Sequence, residues 1–409
     1  MTGEIITQAL TTGSNQYGQL GIGLFGEMRL LPVNVVNNDK IPITDVSQVA
    51  CGGSHTAVLF KDGTVKTFGW NLFGQLGIGS RSRGQTTPVK VQGIGHGSGA
   101  IQVACGNAHT AVLFKDETVK TFGHNDVGQL GNGSISRGQT TPVKVQGIGH
   151  GSGAIQVACG VSHTAVLFKD GTVKTFGLNG DGQLGIGSTG GQSSTPVNVV
   201  NSDNTQITDV SQVACGGSHT AVLFKDGTVK TIGWNIYGQL GNGSKTSSNV
   251  PVDVKNINKH SGAIQVACGD FHTAVLFKDG TVKTFGWNNY SQLGNGSTGG
   301  VQTTPVKVKN IGNKSGAIQV ACGNAHTAVL FENGTVKTFG ENSSGQLGNG
   351  SRTSSNVPVK VKNIGINSKA IQVACGGVHT AFITEYIPNN ISKFYITTDK
   401  AGNKVDVIR

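Results

Sequence analysis

One stretch of 27 residues recurs through the sequence, and this repetition constrains the fold more than any other feature. The first complete copy runs from Cys51 to Gly77 and reads CGGSHTAVLFKDGTVKTFGWNLFGQLG. A fixed period of 53 to 56 residues is typical of propellers, solenoids and related arrays. The cysteines that mark this period are Cys51, Cys105, Cys159, Cys215, Cys268, Cys322 and Cys375.

Each repeat predicts four short strands joined by tight turns. In the first two copies these strands are Ala100–Cys105, His109–Phe114, Thr64–Phe68 and Pro88–Val91. The run HTAVLF is apolar on both of its faces, so we expect it to be covered on both sides, as in stacked blades. The run TVKTF mixes lysine with apolar residues, so we expect it to lie nearer the solvent.

The chain ends indicate a closed ring. The N-terminus opens with the second half of a repeat, whereas Ile371–Ile383 supplies a first half with nothing after it. An open solenoid would need polar caps at its ends, but here the two ends complete each other. We therefore predict an all-β fold, a closed seven-bladed β-propeller of four-stranded blades. The last blade is shared between the termini, from residues near 371–384 and near 5–36.

The pattern CGxxHTAVLxxDGxVxxFGxNxxGQLGxG resembles the repeat of the regulator of chromosome condensation family, over about residues 3–384. The resemblance implies a seven-bladed propeller, residues 1–384, that acts by protein–protein contact. The remaining segment, 385–409, is expected to be a C-terminal tail that can form a β-hairpin. Family members include an exchange factor for the GTPase Ran, a plant UV-B photoreceptor and a bacterial β-lactamase inhibitor, so the fold does not determine the function.

Two departures from the family bear on function. The photoreceptors carry Trp-Arg before the repeated histidine, whereas this chain has pairs such as Gly53-Ser54 and Val161-Ser162, so light sensing is not expected. The Ran exchange factor has an extra wedge projecting from one blade, and no repeat here is long enough to contain one. The second departure weakens the case for exchange activity.

The chain is basic, with 32 lysines and arginines against 21 acidic residues. Much of the excess is periodic, which has two interpretations. Lysines on solvated strands discourage edge-to-edge aggregation, and this is the favoured interpretation. Alternatively, the lysines form a basic ring that binds nucleic acid or another polyanion. The candidate polyanion-binding residues are Lys66, Lys120, Lys174, Lys230 and Lys283.

The cysteines and histidines are repeated but do not indicate chemistry. One cysteine per repeat at equivalent positions is not expected to pair, and free thiols fit an intracellular location, cytoplasmic or nuclear. The Cys-x-x-x-His pairs lie in separate blades, whereas zinc needs about four converging ligands. We expect each imidazole and neighbouring threonine hydroxyl to bond turn backbone instead. No signal peptide, membrane span, catalytic residue, metal site or cofactor site is predicted.

Positions that vary within the constant repeat are the candidates for partner binding. After the third strand the repeats carry residues as different as Trp70, His124 and Glu341, so this position is expected to face outward. Large aromatic side chains at such positions are typical interface anchors. Packing of each ring on the neighbouring blade explains them equally well. The candidate partner-binding residues are Tyr17, Trp70, Phe73, Trp234, Tyr237, Phe271, Trp287 and Tyr290.

The sequence therefore predicts a non-enzymatic protein-interaction scaffold that presents a loop face to a protein partner, with no membrane contact. The first alternative is a guanine-nucleotide exchange factor for a Ran-like small GTPase, associated with chromatin. The second alternative is a basic structural or packaging protein that binds nucleic acid or another polyanion.

Overall fold

The computed structural model describes residues 5–365 and 368–386, together with the backbone of two short strands at 396–398 and 404–406. The described residues form β-strands, turns and loops, without helices. Seven sheets of four antiparallel strands follow one another around a central channel. The last sheet contacts the first, which closes the ring. The predicted seven-bladed propeller is confirmed.

Each blade has a first strand at the channel and a fourth strand at the outer edge. The chain begins with β1 (Ile6–Gly13) and β2 (Arg29–Asn34), which belong to the last blade. Blades 1 to 3 are β3 (Val46–Cys51), β4 (His55–Phe60), β5 (Val65–Asn71), β6 (Ser82–Lys90); β7 (Ala100–Cys105), β8 (His109–Phe114), β9 (Val119–Asn125), β10 (Ser136–Lys144); β11 (Ala154–Cys159), β12 (His163–Phe168), β13 (Val173–Leu178), β14 (Gln192–Asn198).

Blades 4 to 6 repeat this order. They are β15 (Val210–Cys215), β16 (His219–Phe224), β17 (Val229–Gly233), β18 (Ser248–Asp253); β19 (Ala263–Cys268), β20 (His272–Phe277), β21 (Val282–Trp287), β22 (Val301–Lys307); β23 (Ala317–Cys322), β24 (His326–Phe331), β25 (Val336–Gly340), β26 (Ser355–Lys360). Blade 7 combines β27 (Lys369–Cys375) and β28 (His379–Tyr386) with β1 and β2, and a separate pair contains β29 (Ile396–Thr398) and β30 (Lys404–Asp406).

Blade 7 confirms that the two termini share one sheet. Strand β1 lies between β28 and β2, in unbroken register with β28 from Ile6 opposite Tyr386 to Gly13 opposite His379. The ring is therefore closed by strand pairing rather than by a cap. Strands β29 and β30 pair antiparallel beyond this sheet, and the boundary of the tail at 385 stays a prediction.

The antiparallel order places the loops on two opposite edges of the ring. The first-to-second and third-to-fourth loops, such as 52–54 and 72–81, share one edge, which we call the loop face. The second-to-third turns and the connections between blades, such as 61–64 and 91–99, share the other edge, which we call the turn face. The variable aromatic positions lie on the loop face, and the periodic lysines lie near the turn face.

The hydrophobic core lies between blades. Leu59 and Val65 of blade 1, for example, pack against Val112 and Phe122 of blade 2. All six residues of HTAVLF are buried in β8, which confirms that this strand is covered on both sides. The expectation for TVKTF was wrong, because Phe68 is completely buried between neighbouring blades and only the lysine reaches the solvent.

The fourth strand is longer than predicted in blades 1 and 2. It begins at Ser82 rather than at Pro88, and runs for nine residues. Proline lacks a backbone donor, but the outermost strand needs none on its free side, so Pro88 lies inside the strand. The pairing shifts between Thr67 and Gly69, opposite an irregular stretch of the fourth strand that includes the proline.

Two closed circles of hydrogen bonds join neighbouring blades. In the first, a glutamine carbonyl oxygen accepts from the valine N–H of the next blade, as between Gln48 Oε1 and Val103 N at 2.8 Å. The same bond recurs between all seven pairs of neighbours, including Gln372 and Val49 across the closure. These bonds satisfy backbone donors beside the bulge that each first strand contains.

The second circle involves the repeated histidines. Nε2 of His55 lies 2.9 Å from the Thr110 hydroxyl of the next blade, and that hydroxyl donates to the Gln75 carbonyl oxygen. Equivalent bonds join all seven blades, ending with His379 and Thr56. The threonines bond turn backbone as expected. The histidines do not, because each ring crosses the boundary between two blades and meets a threonine there.

Candidate interaction surfaces

The aromatic residues singled out from the sequence form two clusters on the loop face. The blade 4–5 aromatic cluster contains Trp234, Tyr237, Phe271, Trp287 and Tyr290. The blade 7–1–2 aromatic cluster contains Tyr17, Trp70 and Phe73, with His124 as a fourth member. Each cluster is thus a continuous surface that spans neighbouring blades.

The blade 4–5 aromatic cluster is organised around Phe271. Its ring centroid lies 5.4 Å from that of Trp234 and 5.5 Å from those of Tyr237 and Trp287. Tyr237 and Trp287 also contact each other across the blade boundary, at 5.6 Å. Tyr290 lies edge-on to Trp287 and is 44% exposed. The edge-to-face geometry is the one that aromatic quadrupoles favour.

The second cluster repeats part of this arrangement. Tyr17 of blade 7 contacts Trp70 of blade 1 at 5.7 Å, as Tyr237 contacts Trp287. Phe73 lies edge-on to Trp70 at 5.4 Å and then contacts His124 of blade 2 at 4.1 Å. His124 was not among the predicted residues, although it occupies the same repeat position as Trp70.

The rings contact the neighbouring blade and also remain partly exposed. Trp70, Trp234 and Trp287 are half-buried, so packing on the neighbouring blade and exposure to the solvent occur together. Two more apolar side chains border the clusters, Leu72 at 44% and Ile236 at 46% exposure. Sequence reasoning missed them, although each stands immediately after the asparagine that opens the same loop.

The centre of the loop face is the mouth of the channel. It forms a cavity of about 70 Å³ lined by the seven repeated cysteines and the glycines that follow them. Asp270 is the carboxylate at this mouth, beside Phe271, and burial raises its pKa to about 6. Burial raises the pKa of the thiols as well, to about 12 for Cys105, Cys268 and Cys375, which makes them poor nucleophiles.

The candidate polyanion-binding lysines occupy one equivalent position near the turn face. Each lies half-buried with its ammonium over a phenylalanine ring of the same blade, between 4.9 and 5.9 Å from the ring centroid. Their surroundings differ. Lys230 forms an ion pair with Asp253 at 3.5 Å, and Lys174 lies opposite Asn198, whereas Lys66, Lys120 and Lys283 lie opposite another lysine.

Within the described part of the chain, no three His, Cys, Asp or Glu side chains approach closely enough to hold a metal ion. The same residues include no helix that is long and apolar enough to cross a membrane.

The closed ring of seven four-stranded blades identifies the class of protein as a seven-bladed β-propeller. The family model described as RCC1-like domain matches residues 8–382, and the chain belongs to this family. It is 31% identical to the Arabidopsis thaliana ultraviolet-B receptor UVR8, over 91% of this chain and 81% of that protein. It is also 31% identical to mouse HERC2, an E3 ubiquitin-protein ligase, but covers only 8% of its length.

Solved structures agree with this assignment. The crystal structure of human WBSCR16 superposes with a TM-score of 0.79 at 25% identity, covering 93% of this chain and 99% of that one. Yeast RCC1 (Prp20), in its crystal structure with Kap60, gives a TM-score of 0.80 at 20% identity, covering 95% and 91%. At 20% identity, the likeness to Prp20 shows a shared fold and no more.

Proposed function

We propose that the protein is a non-enzymatic interaction scaffold, whose loop face binds a protein partner through the blade 4–5 aromatic cluster. The observation that supports this most is the surface of five touching rings, which remain partly exposed at positions that the fold does not require to be aromatic. Seven free cysteines favour a reducing compartment, the cytoplasm or the nucleus.

Comparison between blades supports the view that these rings serve binding. Blade 3 has Leu178 and Asp181 at the positions of Trp287 and Tyr290, and blade 6 has Glu341 and Ser344. The second and third strands of blades 3, 5 and 6 nevertheless pair in the same register. Since the frame tolerates charged and small residues there, an exposed group of tryptophan and tyrosine is better explained as an interface anchor.

The test compares Trp287→Ala with Trp70→Ala, because the two tryptophans have nearly matched surroundings. Each contacts a tyrosine of the preceding blade and lies edge-on to an aromatic ring of its own loop, and Trp287 has one further contact, with Phe271. Partners are captured on immobilised protein from host lysate and identified by mass spectrometry, and thermal melting is recorded for both variants.

We expect Trp287→Ala to lose the partner while Trp70→Ala retains it. A hot-spot tryptophan is worth ~2 kcal/mol or more, or about 30-fold in affinity. The melting temperature should fall in both variants, and somewhat more in Trp287→Ala, because that variant also loses the contact with Phe271. Retention of every partner by Trp287→Ala, or equal losses in both variants, would contradict the assignment to blades 4 and 5.

The second candidate function is nucleotide exchange on a Ran-like small GTPase. Prp20p of Saccharomyces cerevisiae, whose binding to Gsp1p and histones has been described, shares this fold over 95% of the chain. The assay is release of a fluorescent guanine nucleotide from the host's small GTPases. Acceleration by the wild-type protein, lost in Trp287→Ala, would make the loop face an exchange site. Binding without acceleration would leave the scaffold function.

A further inference from the structure

We propose that the turn face of blades 5 and 6 binds the phosphate backbone of nucleic acid without reading its sequence. This edge lies opposite the loop face, so the proposal does not depend on the protein-partner site. Between residues 278 and 369 this edge carries nine lysines, which we call the blade 5–6 lysine patch. They are Lys278, Lys283, Lys307, Lys309, Lys314, Lys337, Lys360, Lys362 and Lys369.

The strand register places four of these lysines in two close pairs. Lys283 lies directly opposite Lys307 in blade 5, and Lys337 lies directly opposite Lys360 in blade 6. The inner member of each pair is held over a phenylalanine ring, at 4.9 Å for Lys283 and 5.2 Å for Lys337. The outer members are exposed. Like charges directly opposite each other in an antiparallel pair repel, so each pair favours an anionic ligand.

Acidic residues do not neutralise this patch. Asp279 and Glu332 are the acidic residues of the same stretch on the turn face, and none of the nine lysines forms an ion pair with any residue that the structure describes. Elsewhere on this edge some lysines are paired, as Lys225 is with Asp209 and Lys230 is with Asp253. Blades 5 and 6 differ in combining nine lysines with only two acidic residues on this edge.

Protection of exposed strand edges explains only part of this arrangement. A lysine on each outermost strand discourages aggregation, and this accounts for Lys307 and Lys360. It does not account for Lys283 and Lys337, which lie on third strands that are already paired on both sides. Nor does the fold require the pairs, because blade 4 has Asp253 at the outer position.

The residue type and the charge density fit a nucleic-acid backbone. All nine charges are lysines, which act as point charges and need no directional contact with the ligand. Duplex DNA carries about one negative charge per 1.7 Å of its axis, so a patch without directional contacts can bind it through charge density alone. Contacts of this kind position the backbone and carry no sequence information.

The experiment measures binding of a fluorescent DNA duplex of about 25 base pairs, by anisotropy, between 50 and 200 mM salt. Wild-type affinity should fall steeply with salt, because bound lysines release counterions. Changing Lys283, Lys307, Lys337 and Lys360 together to Gln should weaken binding at least tenfold at low salt. It should also lower the slope of log affinity against log salt by roughly 3 to 4.

The matched control changes Lys66, Lys90, Lys120 and Lys144 to Gln, which removes the same charge from the same strand positions in blades 1 and 2. It should have a smaller effect, because blades 1 and 2 have Gln92 and Gln146 where blades 5 and 6 have Lys309 and Lys362. Equal losses in both variants would overturn a local site. So would the absence of DNA binding at 50 mM salt, or competition by poly-glutamate as effective as by DNA. Unchanged circular dichroism and melting show that both variants are folded.

Discussion

The circle of seven buried histidines predicts that the ring unfolds in mild acid. Burial lowers the pKa of five of them, such as His219, from 6.5 to about 3, and the pKa of His163 and His379 to about 4. Each Nε2–H donates to a threonine hydroxyl, while Nδ1 is buried and forms no hydrogen bond with the residues that the structure describes. A second proton on Nδ1 would therefore place a charge in a buried site, which is costly.

The sign and size of the effect follow from proton linkage. Between pH 6.5 and about 4 the unfolded chain protonates these histidines and the folded chain does not, so the free energy of unfolding falls as the pH falls. Each group contributes about 1.4 kcal/mol per pH unit to this fall, so the seven histidines together contribute about 9 to 10 kcal/mol per pH unit. His124, whose pKa is also lowered by burial, acts in the same direction.

One group acts against this trend. The raised pKa of Asp270 means that the folded state binds its proton first, so this carboxyl contributes stability that is lost as the pH rises through about 6. Asp62 and Asp170, whose pKa is lowered by hydrogen bonds with threonine, contribute stability that is lost only as the pH falls below about 4. The net slope near pH 5 is then about 8 kcal/mol per pH unit or more, against a typical total stability of about 5–15 kcal/mol.

Unfolding is thus expected to begin within about 1 to 1.5 pH units below 6.5. The assay is urea unfolding, followed by tryptophan fluorescence and circular dichroism at several pH values from 7.5 to 5, together with potentiometric measurement of proton uptake on acid unfolding. We expect about six or more protons to be taken up near pH 5. Uptake of one or two protons, or a native near-ultraviolet spectrum at pH 4, would refute the reasoning.

Two further predictions concern the frame. Deletion of residues 1–20 removes β1, the strand between β28 and β2, so the protein should unfold or oligomerise. Size-exclusion chromatography and thermal melting test this. A monomer with an unchanged melting temperature would show that the ring does not need this closure. Gly106→Ala should destabilise the protein by about 1–3 kcal/mol or more in urea unfolding, because the new Cβ would overlap the His109 ring and the Gly160 carbonyl oxygen. Gly149→Ala, where a Cβ would meet nothing within 4 Å, is its control, and equal effects would argue against the overlap.

The repeat made most of the fold predictable. The predicted first and second strands, Ala100–Cys105 and His109–Phe114, have the observed bounds, because apolar runs between glycine turns leave little choice. The contacts between blades were not predictable. His55 forms a hydrogen bond with Thr110 of the next repeat, and this partner depends on how the blades stack. The ion pair of Lys230 depends on the register of the fourth strand, which shifts at a bulge that spacing does not reveal.

The difference between the repeated residues at the blade boundaries and the variable residues of the surface explains how one frame carries two unlike surfaces. The bonds that join neighbouring blades use side chains that every repeat contains, with the histidines and threonines buried and the glutamines half-buried at the blade boundaries. A loop-face residue such as Trp287, or a turn-face residue such as Lys307, lies outside those two circles of hydrogen bonds. Its replacement leaves the joining bonds in place, so the surfaces of individual blades can differ while the ring stays the same. The aromatic cluster of blades 4 and 5 and the lysine patch of blades 5 and 6 are such differences, placed on opposite edges of adjoining blades.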